Sequence, residues 1–344
     1  MGKVNFQDVG VVPMFAVNGP EIQFGISIFG VSVATLAVGL ALLTGLAFSR
    51  HGLRETTLLG PWAWSLIAAG ALLACETAVL LYHPGSGVLP NWLIVARFSA
   101  FTATFCPTMA LMGARRPQSR EWKYVVLCLW LILALPAGWS ALVRPGRFSI
   151  EPIWAVFLLI LIVVGSCNYL FTRYWCSSLL YGAGQVALVF NHLPWFSAPA
   201  PSHMIATPND AGGGLFAPLA AAAAFTVALA VAYRVAQRPA SRDNSASPEN
   251  LAPLDRLWLD FRDTFGAVWA LRVAQRTNAA AAMYNWNIVL RWDGLHLDQP
   301  ESESSAASDG EAISKDTVQA VEHNLRGLLR RFVSQAWIDE RLSE

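Results

Sequence analysis

Seven apolar segments fill most of the chain from residue 22 to residue 236, and no other feature limits its fold as strongly. They run over 22–47, 60–82, 91–112, 122–143, 151–171, 174–194 and 214–236. A helix needs about 20 mostly apolar residues to cross about 30 Å of hydrocarbon. Lipid offers no partner to backbone N–H and C=O groups, so such segments must pair internally and fold as helices. Composition agrees, with 55% hydrophobic and 14% charged residues, against about a quarter charged in soluble domains. The expected fold is an all-α integral membrane protein, a seven-span helical bundle over residues 1–236. Segment 174–194 is the most polar, carrying Ser177, Ser178, Gly182, Gly184 and Gln185, and a partly re-entrant path is its alternative to a full crossing.

The basic residues assign an orientation. Arg50 and Arg54 follow the first segment, and Arg115, Arg116, Arg120 and Lys123 follow the third. Arg173 follows the fifth, and Arg234, Arg238 and Arg242 follow the seventh, while the opposite side has only Lys3, Arg144 and Arg147. Cytoplasmic loops carry the excess of Lys and Arg, so the N-terminus is expected outside and the C-terminus in the cytoplasm. Tryptophans near the segment ends, among them Trp62, Trp92, Trp122, Trp154 and Trp195, fit interfacial belts. The expected location is a multi-pass membrane protein of a bacterial inner membrane. No basic stretch precedes the first apolar segment as in a signal peptide, so that segment reads as a span. Small residues, including Ala220–Ala224, suit close helix packing, with self-association through the seventh segment as the sharper alternative.

Away from the segment ends, charge inside the spans is confined to Glu76 and Arg97. Their segments run in opposite directions, and each residue lies about six positions, roughly 9 Å, from the outer end. Neighbouring helices would bring them together as a structural ion pair, or as a pair facing a substrate or proton pathway. Asn168 and Gln185 are the other candidates for a pathway; as amides they are also expected to hydrogen-bond between helices. Cys106-Pro107 interrupts the third segment and predicts a kink. The five cysteines include no CxxC pair and read as small apolar residues, with no metal site.

Residues 237–253 have a linker composition, and 254–344 form a small, mainly helical cytoplasmic module. Leu254, Leu257, Trp258, Phe261, Phe265, Val268 and Trp269 recur at helical spacing, predicting an amphipathic helix that extends to about Met283. Trp286, Ile288, Leu290 and Trp292 alternate as a short strand ending at Asp293-Gly294. An acidic, Ser-rich connection spans 298–312, and a last helix is expected from about Asp316 to Arg341. Trp258, Phe261, Phe265, Trp269 and Trp337 are the candidates for contact with a partner or the bundle, since so small a module has little core of its own.

Chemical signatures are missing from the sequence. It has no GxxxxGK[ST] or GxGxxG loop, no HExxH helix and no GxSxG elbow, and no cofactor is indicated. A net charge of +1 argues against a nucleic-acid partner. The expected partners are the lipid bilayer and a protein partner or a second copy of the chain. The leading expectation is a non-enzymatic anchor, assembly or scaffold component acting through the Trp-rich module. A small-solute or proton-coupled transporter using Glu76 and Arg97 is the alternative, followed by a membrane sensor or a lipid-modifying enzyme.

Overall fold

The computed structural model describes residues 20–82, 90–115, 120–143, 150–190, 208–238, 251–297 and 314–343, and the fold is 83% helical. The bundle helices are α1 (Pro20–Leu53), α2 (Leu59–Tyr82), α3 (Asn91–Ala103), α4 (Cys106–Met112), α5 (Arg120–Val143), α6 (Pro152–Cys167), α7 (Trp175–Phe190) and α8 (Pro208–Ala236). Among the described residues, five stretches are long and apolar enough to cross a membrane: Gly30–Leu53, Leu59–Tyr82, Asn91–Met112, Glu121–Trp139 and Phe216–Ala236. The chain is therefore compatible with an integral membrane protein. Helices α6 and α7 are apolar but shorter, at 16 residues each. Large apolar side chains point outward on α5 and α6, among them Leu131, Ile132, Leu135, Trp139, Ile153 and Val163. An apolar surface of this kind suits lipid, not water.

Contacts close the bundle into a ring. Helix α1 packs between α2 and α8, α8 packs on α7, and α7 on α6. Helix α2 packs on α3 and α4, and α5 packs on α3. The kink expected at Cys106-Pro107 is a full break, which divides the third segment into α3 and α4. At the break, Thr104 N–H donates to Phe101 C=O (2.9 Å) and Phe105 N–H to Thr102 C=O (3.2 Å), bonds one residue tighter than the α pattern. Pro107, in the first turn of α4, has no N–H with which to continue the α ladder.

The tail consists of α9 (Ala252–Tyr284), a hairpin of β1 (Ile288–Arg291) and β2 (Gly294–Leu297), then α10 (Lys315–Leu329) and α11 (Gln335–Ser343). Helix α9 covers the expected amphipathic segment but bends at Gly266, whose φ is +77°. The strand expected alone has a partner: the turn at Trp292-Asp293 folds Gly294–Leu297 back, pairing Ile288 with Leu297 and Leu290 with Leu295. Gly294 pairs with Arg291 and opens β2, so the point where the strand is expected to end is where the chain turns back. The single last helix expected from Asp316 to Arg341 is two helices. Ser314 caps α10 by accepting from Asp316 N–H (3.2 Å), and Ser334 caps α11 by accepting from Trp337 N–H (3.1 Å). The linker between 239 and 250 and the acidic connection 298–312 lie outside the described residues.

The tail docks on one face of the bundle, and the largest buried apolar cluster among the described residues lies at this junction. Leu58, Leu111 and Ala114 of the bundle share it with Leu254, Leu257, Leu325, Leu329 and Ile338 of the tail. Backbone bonds stitch the seam. Thr57 N–H donates to Phe332 C=O (2.8 Å), and Ser334 N–H donates to Glu55 C=O (2.8 Å).

Candidate functional site

Three sets of polar and aromatic residues organise the molecule, and the first is the ion pair between α2 and α3. Arg97 on α3 donates through Nε and Nη2 to Glu76 Oε1 on α2, both at 2.9 Å. The two side chains retain 21% and 12% of their exposure, so each charge is largely withdrawn from its surroundings and compensated by the other. Pairing offsets a desolvation cost that either residue alone would carry in full.

The second set surrounds a cavity of about 410 Å³ between α1, α2, α4, α6, α7 and α8, within the range of small-molecule sites. Its wall is mainly apolar, with Leu42, Leu46, Leu161, Phe105, Phe225 and Leu229 among the lining side chains. Gln185, 4% exposed, lies against it. The break between α3 and α4 brings the Thr104 carbonyl to the same place, where it accepts from Tyr181 Oη (2.6 Å) and Gln185 Nε2 (3.2 Å). A second, much smaller cavity of about 30 Å³ touches Glu76. The two share Leu42, Ala69, Leu72 and Phe225 as walls. Glycine at 184 is what admits the Phe225 ring, since a Cβ there would stand 2.5 Å from its Cε1.

The third set is the seam with the tail, where the structure places Asn168. Its backbone carbonyl accepts from Ala267 N–H (2.8 Å) and its Oδ1 from Val268 N–H (3.1 Å). These are among the first N–H groups after the bend of α9, which otherwise have no partner within that half of the helix. A Cβ on Gly266 would lie 2.3 Å from Asn168 Nδ2 and 2.8 Å from the Asn168 carbonyl oxygen, so only glycine fits. Arg173, in the α6–α7 turn, bonds Asp260 Oδ1 (3.1 Å) and faces Asp263 Oδ2 (3.4 Å). Burial pushes the Asp263 carboxyl above its ordinary pKa, with Arg262 and then Arg173 opposing the shift. Trp269 Nε1 donates to Leu111 C=O (2.9 Å), and Trp292 Nε1 to Phe171 C=O (3.0 Å).

The sequence candidates are therefore divided among separate places. Glu76 meets Arg97, and Gln185 meets Thr104. Asn168 meets neither; its hydrogen bonds are to α9, at the tail seam. Trp258, Phe261, Phe265, Trp269 and Trp337 are each at most 5% exposed, buried by the chain itself. The Phe332 ring lies 5.2, 5.3 and 4.9 Å from those of Phe261, Phe265 and Trp269. Thr104, Tyr181, Phe225 and Gly266 escaped the sequence reading. Gly266 left a signal, an isolated glycine within a helical pattern; Phe225, the aromatic that closes the alanine run, left a weaker one. Among the described residues, no three His, Cys, Asp or Glu side chains group as a metal site.

Fold and surface define a helical protein with segments long and apolar enough to cross a membrane, a cavity within its bundle and a tail folded back onto that bundle. No protein-family model matches the chain, and neither the curated proteins nor the solved structures include one detectably similar to it.

Proposed function

We propose that the chain crosses a bacterial inner membrane seven times, with its N-terminus outside and its tail in the cytoplasm, and carries a small solute through its bundle. The observation that supports transport is the cavity of about 410 Å³, which begins at the tail side with Leu53, Leu58 and Tyr169 and reaches Gln185 and Phe225. Beyond Phe225 lies the smaller cavity with Glu76 on its wall. One large cavity toward the cytoplasm, an aromatic partition and an ionisable residue beyond it are the parts an alternating-access carrier needs. The bundle covers the Trp-rich face whose exposure would have favoured a scaffold. Orientation rests on the Arg-rich loops: those after α1, α4 and α6 all lie on the tail side, joined to it through Thr57, Leu111 and Asn168.

The test is transport in proteoliposomes carrying an internal pH-sensitive dye, screened with neutral solutes. Solute-dependent proton movement, lost in Glu76→Gln while the protein stays folded and inserted, supports the carrier. The scaffold reading keeps one supporting observation, the exposed Leu271, Met283 and Tyr284 on α9. A stoichiometric protein partner released by Leu271→Ser, together with absence of flux for every solute, would favour it instead.

A further inference from the structure

We propose that the large cavity binds an uncharged amphiphile, an apolar body carrying a hydroxyl group that donates its proton to Gln185 Oε1. This inference rests on the carrier reading of the cavity and names the class of molecule it takes.

The argument begins with the orientation of one amide. Gln185 faces Thr104 with two bonds, to the carbonyl oxygen at 3.2 Å and to Oγ1 at 3.1 Å. A carbonyl only accepts, and the Thr104 hydroxyl gives its own proton to Phe101 C=O at 2.7 Å. Both positions therefore demand the donating nitrogen of the amide, which fixes Oε1 on the other side. Oε1 accepts no hydrogen bond from any described residue, although Gln185 is 96% buried (4% exposed). Oε1 is not among the sealed side-chain atoms that lack a partner, so it opens on the cavity, where a ligand hydroxyl can supply its donor.

The surrounding wall narrows the chemistry. Among the described residues, no Asp, Glu, Lys, Arg or His lines the cavity, so a charged ligand would lose its hydration without a counter-charge. Most polar hydrogens on the wall are already committed to backbone carbonyls. Tyr181 donates to Thr104 C=O, Ser177 to Ala228 C=O (2.7 Å), Ser178 to Ser166 C=O (3.1 Å) and Trp62 to Leu46 C=O (2.7 Å). The hydroxyls of Thr108 and Ser166 also line the wall and rotate to give or take a proton. A hydroxyl ligand matches this set because it both donates and accepts, whereas an ether or ester cannot satisfy Oε1. The remaining lining, Leu42, Leu46, Leu161 and Leu229 with Phe105 and Phe225, suits an alkyl or isoprenoid body.

The experiment uses the full chain in phosphatidylcholine nanodiscs with three diazirine probes of one chain length: decanol, its methyl ether and decanoate. Saturable photolabelling is mapped to peptides of α4 and α7. The alcohol is expected to label at roughly tenfold lower concentration than the ether, the difference one hydrogen bond makes, and decanoate to label more weakly still. Gln185→Met keeps length and removes the acceptor, so alcohol and ether should become equal while ether labelling persists. Competition by lipids extracted from the native membrane, against competition by added soluble alcohols, identifies whether the ligand arrives from the bilayer or from water. Equal labelling by alcohol and ether in the unsubstituted protein would overturn the proposal, as would an alcohol preference that survives in Gln185→Met. If Gln185→Met does not fold, Ala228→Phe, which fills the cavity from α8, must abolish saturable labelling for the proposal to stand. Selective binding without flux would refute the carrier and leave the ligand class intact; flux of solutes lacking any donor would do the reverse.

Discussion

Gly266→Ala is the most exacting perturbation of the seam between tail and bundle. The backbone at 266 has φ +77° and ψ −179°, a region that residues with a Cβ enter only under strain of about 1–3 kcal/mol. The added methyl would also stand 2.3 Å from Asn168 Nδ2 and 2.8 Å from the Asn168 backbone oxygen. The amide group of Asn168 is able to swing aside, but the carbonyl is part of the α6–α7 connection and is not, so overpacking adds about 1–3 kcal/mol. The two bonds from Ala267 and Val268 to Asn168 lengthen at the same time. A loss of at least about 2 kcal/mol follows, which is about a 30-fold rise in the opened population of the tail. Hydrogen exchange of amides 255–284, measured on the full chain in nanodiscs, reports that population directly. Adding Asn168→Ala should return part of the loss by removing the side-chain clash, and not the part due to φ. Unchanged protection in Gly266→Ala would refute the claim that this left-handed bend seats the tail on the bundle.

Phe332→Ala should cost about 3–5 kcal/mol, because its ring contacts Phe261, Phe265 and Trp269 at the centre of the junction; urea unfolding of the tail followed by tryptophan emission measures it. Glu76→Gln should destabilise the bundle by about 3 kcal/mol by leaving Arg97 unpaired, and Glu76→Leu combined with Arg97→Leu should restore most of it, as thermal unfolding in detergent will show. Raised above its ordinary value, the Asp263 carboxyl holds its proton more firmly in the docked state than in the undocked one. Its contribution is thus greatest below the ordinary pKa of 3.8 and falls as pH rises through the raised one, a slope that Asp263→Asn should flatten in exchange measurements across that range.

Features written in local periodicity were legible in the sequence, and features set by contacts across the chain were not. The apolar lengths announced the bundle helices, and the opposed positions of Glu76 and Arg97 anticipated their meeting because helix rise alone fixes depth. Periodicity also gave α9, but not its bend, since the constraint at Gly266 comes from Asn168, about 100 residues earlier in the chain. Asn168 does hydrogen-bond to another helix, as expected of an amide, but its partner is α9: the helix stops at Cys167 and hands Asn168 to the tail. The separation of α10 from α11 depends on Phe332 and Ser334 bonding to Thr57 and Glu55, and no window of local sequence contains both sides of that pairing.

The cavity follows from the same kind of non-local agreement. Cys106-Pro107 predicts a kink, but a kink becomes a binding wall only when another helix supplies donors to the carbonyl exposed there. Tyr181 and Gln185 are four residues apart on α7, hence on one face, and both reach Thr104. Tyr181 alone would satisfy that carbonyl. The second bond serves instead to hold the Gln185 amide in one orientation, which turns a packing amide into a directional acceptor. The tail bears on the opposite end of the same cavity, where Leu58, Leu111 and Tyr169 belong to its lining and also pack in the junction cluster. Loosening the seam at Gly266 should therefore alter ligand affinity as well as tail protection, whereas Gln185→Met should alter affinity alone. That asymmetry distinguishes a tail that supports the cavity floor from one that merely rests against it.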